Sequence, residues 1–404
     1  MQIEIRLKQL LDELNLNTRG VIQQMAKDLG LHRHTLRRIY LNQMPNPSLN
    51  TLALVCKWLC DHGIRQDRLP QALFGAQPSA LWQAIAAAGS VRVYLGKYQQ
   101  TLTSAPAWQW VAFRDACVAA DIVKFLSTPG GVQAASRPEV RLEYVPFQYV
   151  QDDSVRWRNN IAFRRDVQLA ESIYATTRRP PSRSSSILIG SQKANYVLEH
   201  LVADLFGCQP FCLPREGHPR PPFYTVYRER DCAVPSCFGG RQSPPGYSGK
   251  ATPGVYYLDN GRKWVAIPWR EDRQDSGIII VAYDPGTETM QIALSGYTGR
   301  GTARIGAVIL HPAYQARLWP PPVVSHGKKM GVYVCRFTLH ENEMSSDEIR
   351  PLRAEECEII QLDERVLAEC VHPCSSIMGR ATRGRTSHEA RRPGILQHGQ
   401  ASGE

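Results

Sequence analysis

From Ser90 onward the chain alternates short apolar runs with amphipathic stretches of helix length, and that alternation leaves few folds open. "VRVYLGKY" predicts a strand, "WVAFRDACVAADIVKFLS" a helix closed by "TPGG", "EVRLEYVPF" a strand and "FRRDVQLAESIYATT" a helix. "SSSILIGS" predicts a nearly all-apolar strand and "NYVLEHLVADLFG" the helix after it. A strand apolar on both sides has to be covered on both sides, so the expected core is a doubly wound, Rossmann-like α/β sheet. Further strands follow at "FYTVYR", "GVYYLD", "KWVAIPW", "GIIIVAYD" and "QIALSGY", then one helix, "TARIGAVILHPAYQARL", and a last strand, "GVYVCRFTL". Asp259-Asn260-Gly261 sits between alternating runs and predicts a hairpin, so residues 90–345 read as a mixed unit with an antiparallel insertion.

Two loops of that unit have the composition of an anion cradle. "ILIGSQKANYVLE" places Gly190 and Ser191 directly after a buried strand and Asn195 at the start of a helix. "IALSGYTGRGTARIGAV" places Gly296, Gly299 and Gly301 between strand and helix, with Thr298 and Thr302 beside them and Arg300 as a source of positive charge. Backbone N–H groups converge where a strand runs into a helix, and glycine lets a ligand approach them. Neither loop has the G-x-G-x2-G spacing or the lysine of a P-loop, so a small anionic or nucleotide-like ligand is expected without a named cofactor. Tight turns alone would also account for the glycines.

The N-terminal segment has a different period. In "IQQMAKDLGLHRHTLRRIY" apolar residues fall at Met25, Leu29, Leu31, Leu36 and Ile39, with Gly30 where the chain has to turn. One helix stops at Gly30, which tolerates a left-handed backbone, and a second runs from about His32 to Tyr40. With Leu36 and Ile39 inward, Arg33, His34, Arg37 and Arg38 face away from the core. Ile5, Leu7, Leu10, Leu11 and Leu14 suit an earlier helix; "LNTLALVCKWLCDHG" suits a closing one. Such a pair is a helix-turn-helix, whose second helix enters the major groove of duplex DNA, where Arg pairs with guanine and Arg or His holds phosphates. Arg33, His34, Thr35, Arg37 and Arg38 are the expected contacts on this helix, with Lys27 and Asn42 on the phosphates.

The block Met1 to about Phe74 resembles the Cro/C1-type (xenobiotic-response-element family) helix-turn-helix of bacterial and phage regulators. The resemblance rests on "MAKDLGLHRHTLRRIYLNQMPNPSLNTLALVCKWL": the Ala-x3-Gly spacing, the basic second helix and the Pro-Ser-Leu-x2-Leu entry to the next one. His32 departs from it, standing where such domains often carry Ser or Thr as helix cap. The resemblance implies a homodimer on DNA, with half-sites about 34 Å apart.

Domains are expected at 1–75, 90–345 and, as an extension, 346–374, with a connector at 76–89, read from "PSALWQAIAAAG" as a short helix or connector, and a basic disordered tail at 375–404. A net charge of +11 suits a polyanionic partner. No run approaches the roughly 18 apolar residues of a membrane span, and the first residues lack a secretory pattern, so a bacterial cytoplasmic, nucleoid-associated protein is expected. Eleven cysteines, an odd number, argue against a complete disulfide set. Cys208, Cys212, Cys232 and Cys237 invite zinc, but C-x3-C and C-x4-C are not the usual ligand spacings. No nucleophile elbow or acid–base set is legible. The expected function is a transcription regulator with a ligand-sensing α/β unit; the rival is a nucleotide-processing or phage-defence enzyme that carries the helix-turn-helix for autoregulation or targeting.

Overall fold

The computed structural model describes residues 5, 7–41, 43–44, 47–64, 69, 73, 80–100, 108–127, 137–148, 160–178, 183–229, 231, 234–271, 273–325, 328–339 and 356–371. The described residues begin with helices α1 (Leu7–Glu13), α2 (Val21–Leu29), α3 (Arg33–Tyr40) and α4 (Leu49–Asp61). Each gives its apolar stripe to one cluster, where Leu7, Leu11, Met25, Leu36, Ile39, Val55 and Leu59 are fully buried. Two polar ties cross it. Trp58 Nε1 donates to Asp28 at 3.0 Å, joining α4 to α2, and Tyr40 OH donates to Asn17 at 3.1 Å. Ser48 caps α4 by accepting from Thr51 N–H at 3.2 Å.

The remaining elements build an α/β unit on a mixed sheet that has nine strands among the described residues. β1 (Ser90–Gln100) is central: β3 (Glu139–Gln148) runs parallel on one side, and β4 (Ser185–Ile189) runs parallel on the other. β2 (Trp108–Val111) pairs antiparallel with the end of β1, and β10 (Thr289–Gly296) pairs parallel with β4. Beyond β10 the sheet turns antiparallel through β9 (Gln274–Asp284) and β12 (Lys328–Thr338), which carries β11 (Val323–Ser325) and β13 (Cys357–Gln361) at its outer edge.

Consecutive residues of the central strands enter two different cores. Val91, Val93, Leu95, Ile187, Ile189, Ile279 and Val281 face α5 (Ala80–Ala86), α6 (Phe113–Ser127), α9 (Gly299–Leu310) and α10 (Pro312–Leu318). Tyr94, Leu188, Ile278 and Ile280 face α7 (Ile161–Arg178), α8 (Tyr196–Phe206) and α11 (Glu364–Cys370). That is the two-sided cover that all-apolar strands demand. A separate four-stranded sheet, ordered β6-β5-β7-β8, comprises β5 (Phe223–Val226), β6 (Gly239–Gly240), β7 (Gly254–Leu258) and β8 (Trp264–Pro268). Its β7–β8 hairpin closes through residues 259–263, where Asp259 accepts from Lys263 N–H at 2.8 Å, as expected from the turn residues.

Several expectations need correction. Trp110 and Val111 belong to β2, so α6 starts later than the apolar run suggested. The single helix expected through Pro312 is two, because proline there lacks the N–H the helix needs. The stretch expected as a short helix or connector does hold a helix, α5, whose Leu81, Trp82 and Ile85 are fully buried under the sheet. The last strand is not "GVYVCRFTL": β13 follows it, with Arg304 facing Glu356 at 3.7 Å where the chain re-enters the sheet. The Gly-, Pro- and Ser-rich stretch 228–254 carries β6 and buries Cys237 and Phe238. The expected tail lies outside the described residues. Among the described residues, no helix is long and apolar enough to cross a membrane.

Candidate nucleic-acid interface and strand-end crevice

Gly30 ends α2 with φ +63, the left-handed turn only a residue without a β-carbon adopts easily, and α3 starts three residues on. His32 does act as the cap of α3: its Nδ1 accepts from His34 N–H at 3.3 Å, so that N–H is engaged by the chain itself. Burying Leu36 and Ile39 turns Arg33, His34, Arg37 and Arg38 to solvent, and all four are exposed. Thr35 is half-buried, and Lys27 is exposed on α2. Arg38 also donates to Gln43 O at 3.3 Å, and the His32 and His34 rings stack at 5.3 Å. Asn42 lies outside the described residues.

The two glycine loops are neighbours. Strands β4 and β10 are paired, and Gly190 N–H donates to Leu294 O at 3.0 Å, so the loops leave the same end of the parallel strands side by side. The chain order reverses between β1 and β4, because β1 leads outward to β3 and the chain then returns to β4 on the other side, so the first loop borders that point. Open α/β sheets bind ligands at such a switch point.

In the first loop, the Asn195 amide donates to Tyr94 O at 3.2 Å and Ile189 O at 3.1 Å, tying β1 to β4. Its Oδ1 is buried with no partner among the described residues. Ser191 is half-buried, and its carbonyl accepts from Ala194 and Asn195 N–H. Gly190 brings the backbone against the Asp115 carboxylate, since a β-carbon there would stand 2.9 Å from Asp115 Oδ2.

The second loop is already occupied by a carboxylate of the chain. Asp275, at the start of β9, accepts from Gly301 N–H at 2.8 Å and from the Thr298 hydroxyl, while Thr298 accepts from Arg300 N–H at 3.1 Å. The opening turn of α9 thus has its anion built in. Burial outweighs those hydrogen bonds and pushes Asp275 up to about 6; burial likewise pushes Asp115, which Thr302 reaches, to about 6. Gly296 and Gly301 are buried, Gly299 is exposed beside Arg114, and half-buried Arg300 reaches Glu271 O at 3.5 Å.

Neither acid stood out in the sequence, because the partner loops lie far along the chain. An Asp leading straight into the buried run "SGIIIVAY" was the available signal. Also missed was the clamp beside the first loop. Asp231 accepts from Lys193 Nζ at 2.7 Å and from Arg228 at 2.7 Å, with Lys193 over the Tyr227 ring and Arg228 over Trp269. Glu199, fully buried, holds the next loops by accepting from Phe211 N–H at 2.9 Å, Cys237 N–H at 2.6 Å and Ser236 at 2.7 Å.

No family model, curated protein or solved structure matches this chain.

Cys237 is buried and Cys208 and Cys212 are half-buried, while Cys232 lies outside the described residues. Among the described residues, no group of three or more His, Cys, Asp or Glu could hold a metal ion.

Proposed function

We propose that this protein is a sequence-specific DNA-binding regulator whose α2–α3 pair is a helix-turn-helix of the Cro/C1 type. The observation that supports it is the division of α3: Leu36 and Ile39 are fully buried, while Arg33, His34, Arg37 and Arg38 stand exposed on the opposite side. An arginine-bearing helix held by its apolar stripe can enter a major groove without disturbing its own core. Two copies of the chain would read two half-sites. The α/β unit, with its Rossmann-like switch point, is proposed as a sensor of a small anionic ligand at the rim formed by Ser191, Gly299 and Arg300 and the adjacent Lys193–Asp231–Arg228 clamp. A ligand there acts only through unequal affinity for two arrangements of the protein.

Arg37→Ala is the test. On an operator selected from random duplexes, it should weaken specific binding about 10- to 100-fold, the worth of a bidentate guanine contact, with the melting curve unchanged. Lys27→Ala should instead weaken all sequences alike and lower the salt dependence. Undiminished sequence preference in Arg37→Ala removes α3 as the reading helix. A second reading, a nucleotide-processing enzyme, is favoured by two buried carboxylates near 6 at the strand ends. Turnover of any nucleotide by the pure protein would replace the sensor with it.

A further inference from the structure

β3 is the outermost strand on its side of the large sheet, and among the described residues no strand pairs with its outer edge. A strand edge left uncovered presents a row of unpaired N–H and C=O groups, which proteins ordinarily shorten, cover or charge, and β3 is 10 residues long. Glu139 N–H donates toward β1, to Gly89 O at 2.9 Å. Odd-numbered residues of β3 therefore bond inward, and Val140, Leu142 and Tyr144 turn their peptide groups outward. Pro146 fits that phase, since its missing N–H falls on the outer side, where a strand tolerates proline. With Pro138 just before the strand, the prolines frame residues 139–145 as the stretch able to pair, and its midpoint is Leu142.

Charge selects the same midpoint. In an antiparallel pair of two β3 strands related by a two-fold axis at Leu142, Arg141 of each copy lies across from Glu143 of the other, and Val140 lies across from Tyr144. Moving the axis to residue 141 sets Arg141 against itself and Glu139 against Glu143. Moving it to 143 sets Glu143 against itself. Like charges directly opposite are destabilising, and unlike ones contribute. Leu142 and Tyr144, on one face by strand alternation, are 43% and 47% exposed, and the pairing would set them beside their counterparts.

We infer that β3 is a homodimer interface: it pairs antiparallel with β3 of a second copy about Leu142, continuing the sheet across both chains. This supplies the second copy that the DNA-binding reading calls for. Its grounds lie in β3 alone, so it is tested without DNA.

Sedimentation equilibrium of the full chain is expected to give twice the 45.4 kDa of one copy. Arg141→Glu and Glu143→Arg each bring like charges together twice, and each should weaken the dimer at least tenfold; the double variant R141E/E143R should restore it. Arg141 also pairs with Glu139 of its own strand at 2.8 Å, a contact that Glu143→Arg leaves in place. Glu143 also acts on Arg141 of its own strand, so the melting curves of the single variants report that contact while sedimentation reports the one between copies. Far-UV spectra and melting curves report whether each variant folds, and Leu142→Asp, expected monomeric, replaces any that does not. Slow hydrogen exchange at the Leu142 amide in the dimer, lost in the monomeric variants, is the companion readout. A monomeric parent chain, a dimer indifferent to both single changes, or a double variant that stays monomeric would overturn the inference. Arg37→Ala should remain dimeric, which keeps failure of the DNA-binding reading separate from failure of this one.

Discussion

Gly296→Ala is expected to cost the α/β unit about 3 kcal/mol, whereas Gly299→Ala in the same loop should change stability by less than about 0.5 kcal/mol. A β-carbon at Gly296 would overlap the Thr302 nitrogen and stand 2.5 Å from the Gly301 carbonyl carbon. Both are backbone atoms of the first turn of α9, so relief requires the helix to lift off β10, carrying with it the Thr298 and Gly301 bonds to Asp275. At Gly299 the nearest atom is Arg114 Cγ at 3.3 Å, the stem of a side chain that can swing aside. The two residues are the same type in the same strand-to-helix loop, so the contrast isolates close approach from general loop sensitivity. Urea unfolding of both variants measures it. Equal, small effects would show that the turn has slack and that the glycine-rich loop is not closed as described.

The same loop shows how far the sequence could be read. "QIALSGY" announced β10, and the glycines announced a strand-to-helix turn, since both signals are local. What fills the turn was not legible, because Asp275 comes from β9, an antiparallel neighbour, and no spacing rule links residue 275 to residue 301. The N-terminal helices were the easier case. Gly30, His32 and the Leu36–Ile39 stripe set turn, cap and buried face within a dozen residues. At Trp110–Val111 the apolar pattern ran unbroken from strand to helix, and only pairing with Lys97 and Tyr98 of β1 decides where one ends. α5 was legible as a short helix or connector in "PSALWQAIAAAG"; what the sequence did not show is its anchor, Trp82 Nε1 donating to Ile309 O at 3.3 Å. "CEIIQ", within the expected extension, is too short a run to predict a strand by itself, and it is a strand because β12 offers it an edge.

Between about pH 4 and pH 6 the two buried acids are expected to make stability fall as pH rises, the opposite of the usual carboxylate behaviour. Asp115 is held by burial up to about 6, from 3.8 in an open chain, with Thr302 as the hydrogen-bonding side chain. Across that interval the folded protein keeps a proton that the unfolded chain has released, so each upward step in pH favours unfolding. A shift of this size is worth about 3 kcal/mol once pH exceeds the folded value. Burial raises Asp275 to about 6 against the hydrogen bonds from Thr298, Ser276 and Gly301, and it adds a slope of the same sign. Asp231 works in the other direction: burial is outweighed there by Arg228 and Lys193, its pKa is lowered, and its contribution is lost only as pH falls below the window. Asp115→Asn keeps an acceptor for Thr302 and removes the titration. Relative to the parent chain, it should gain about 2.5 kcal/mol on going from pH 4 to pH 7, in denaturant melts at each pH. Parallel curves for the two proteins across that range would mean that water reaches the Asp115 carboxylate and that the strand ends are open to solvent.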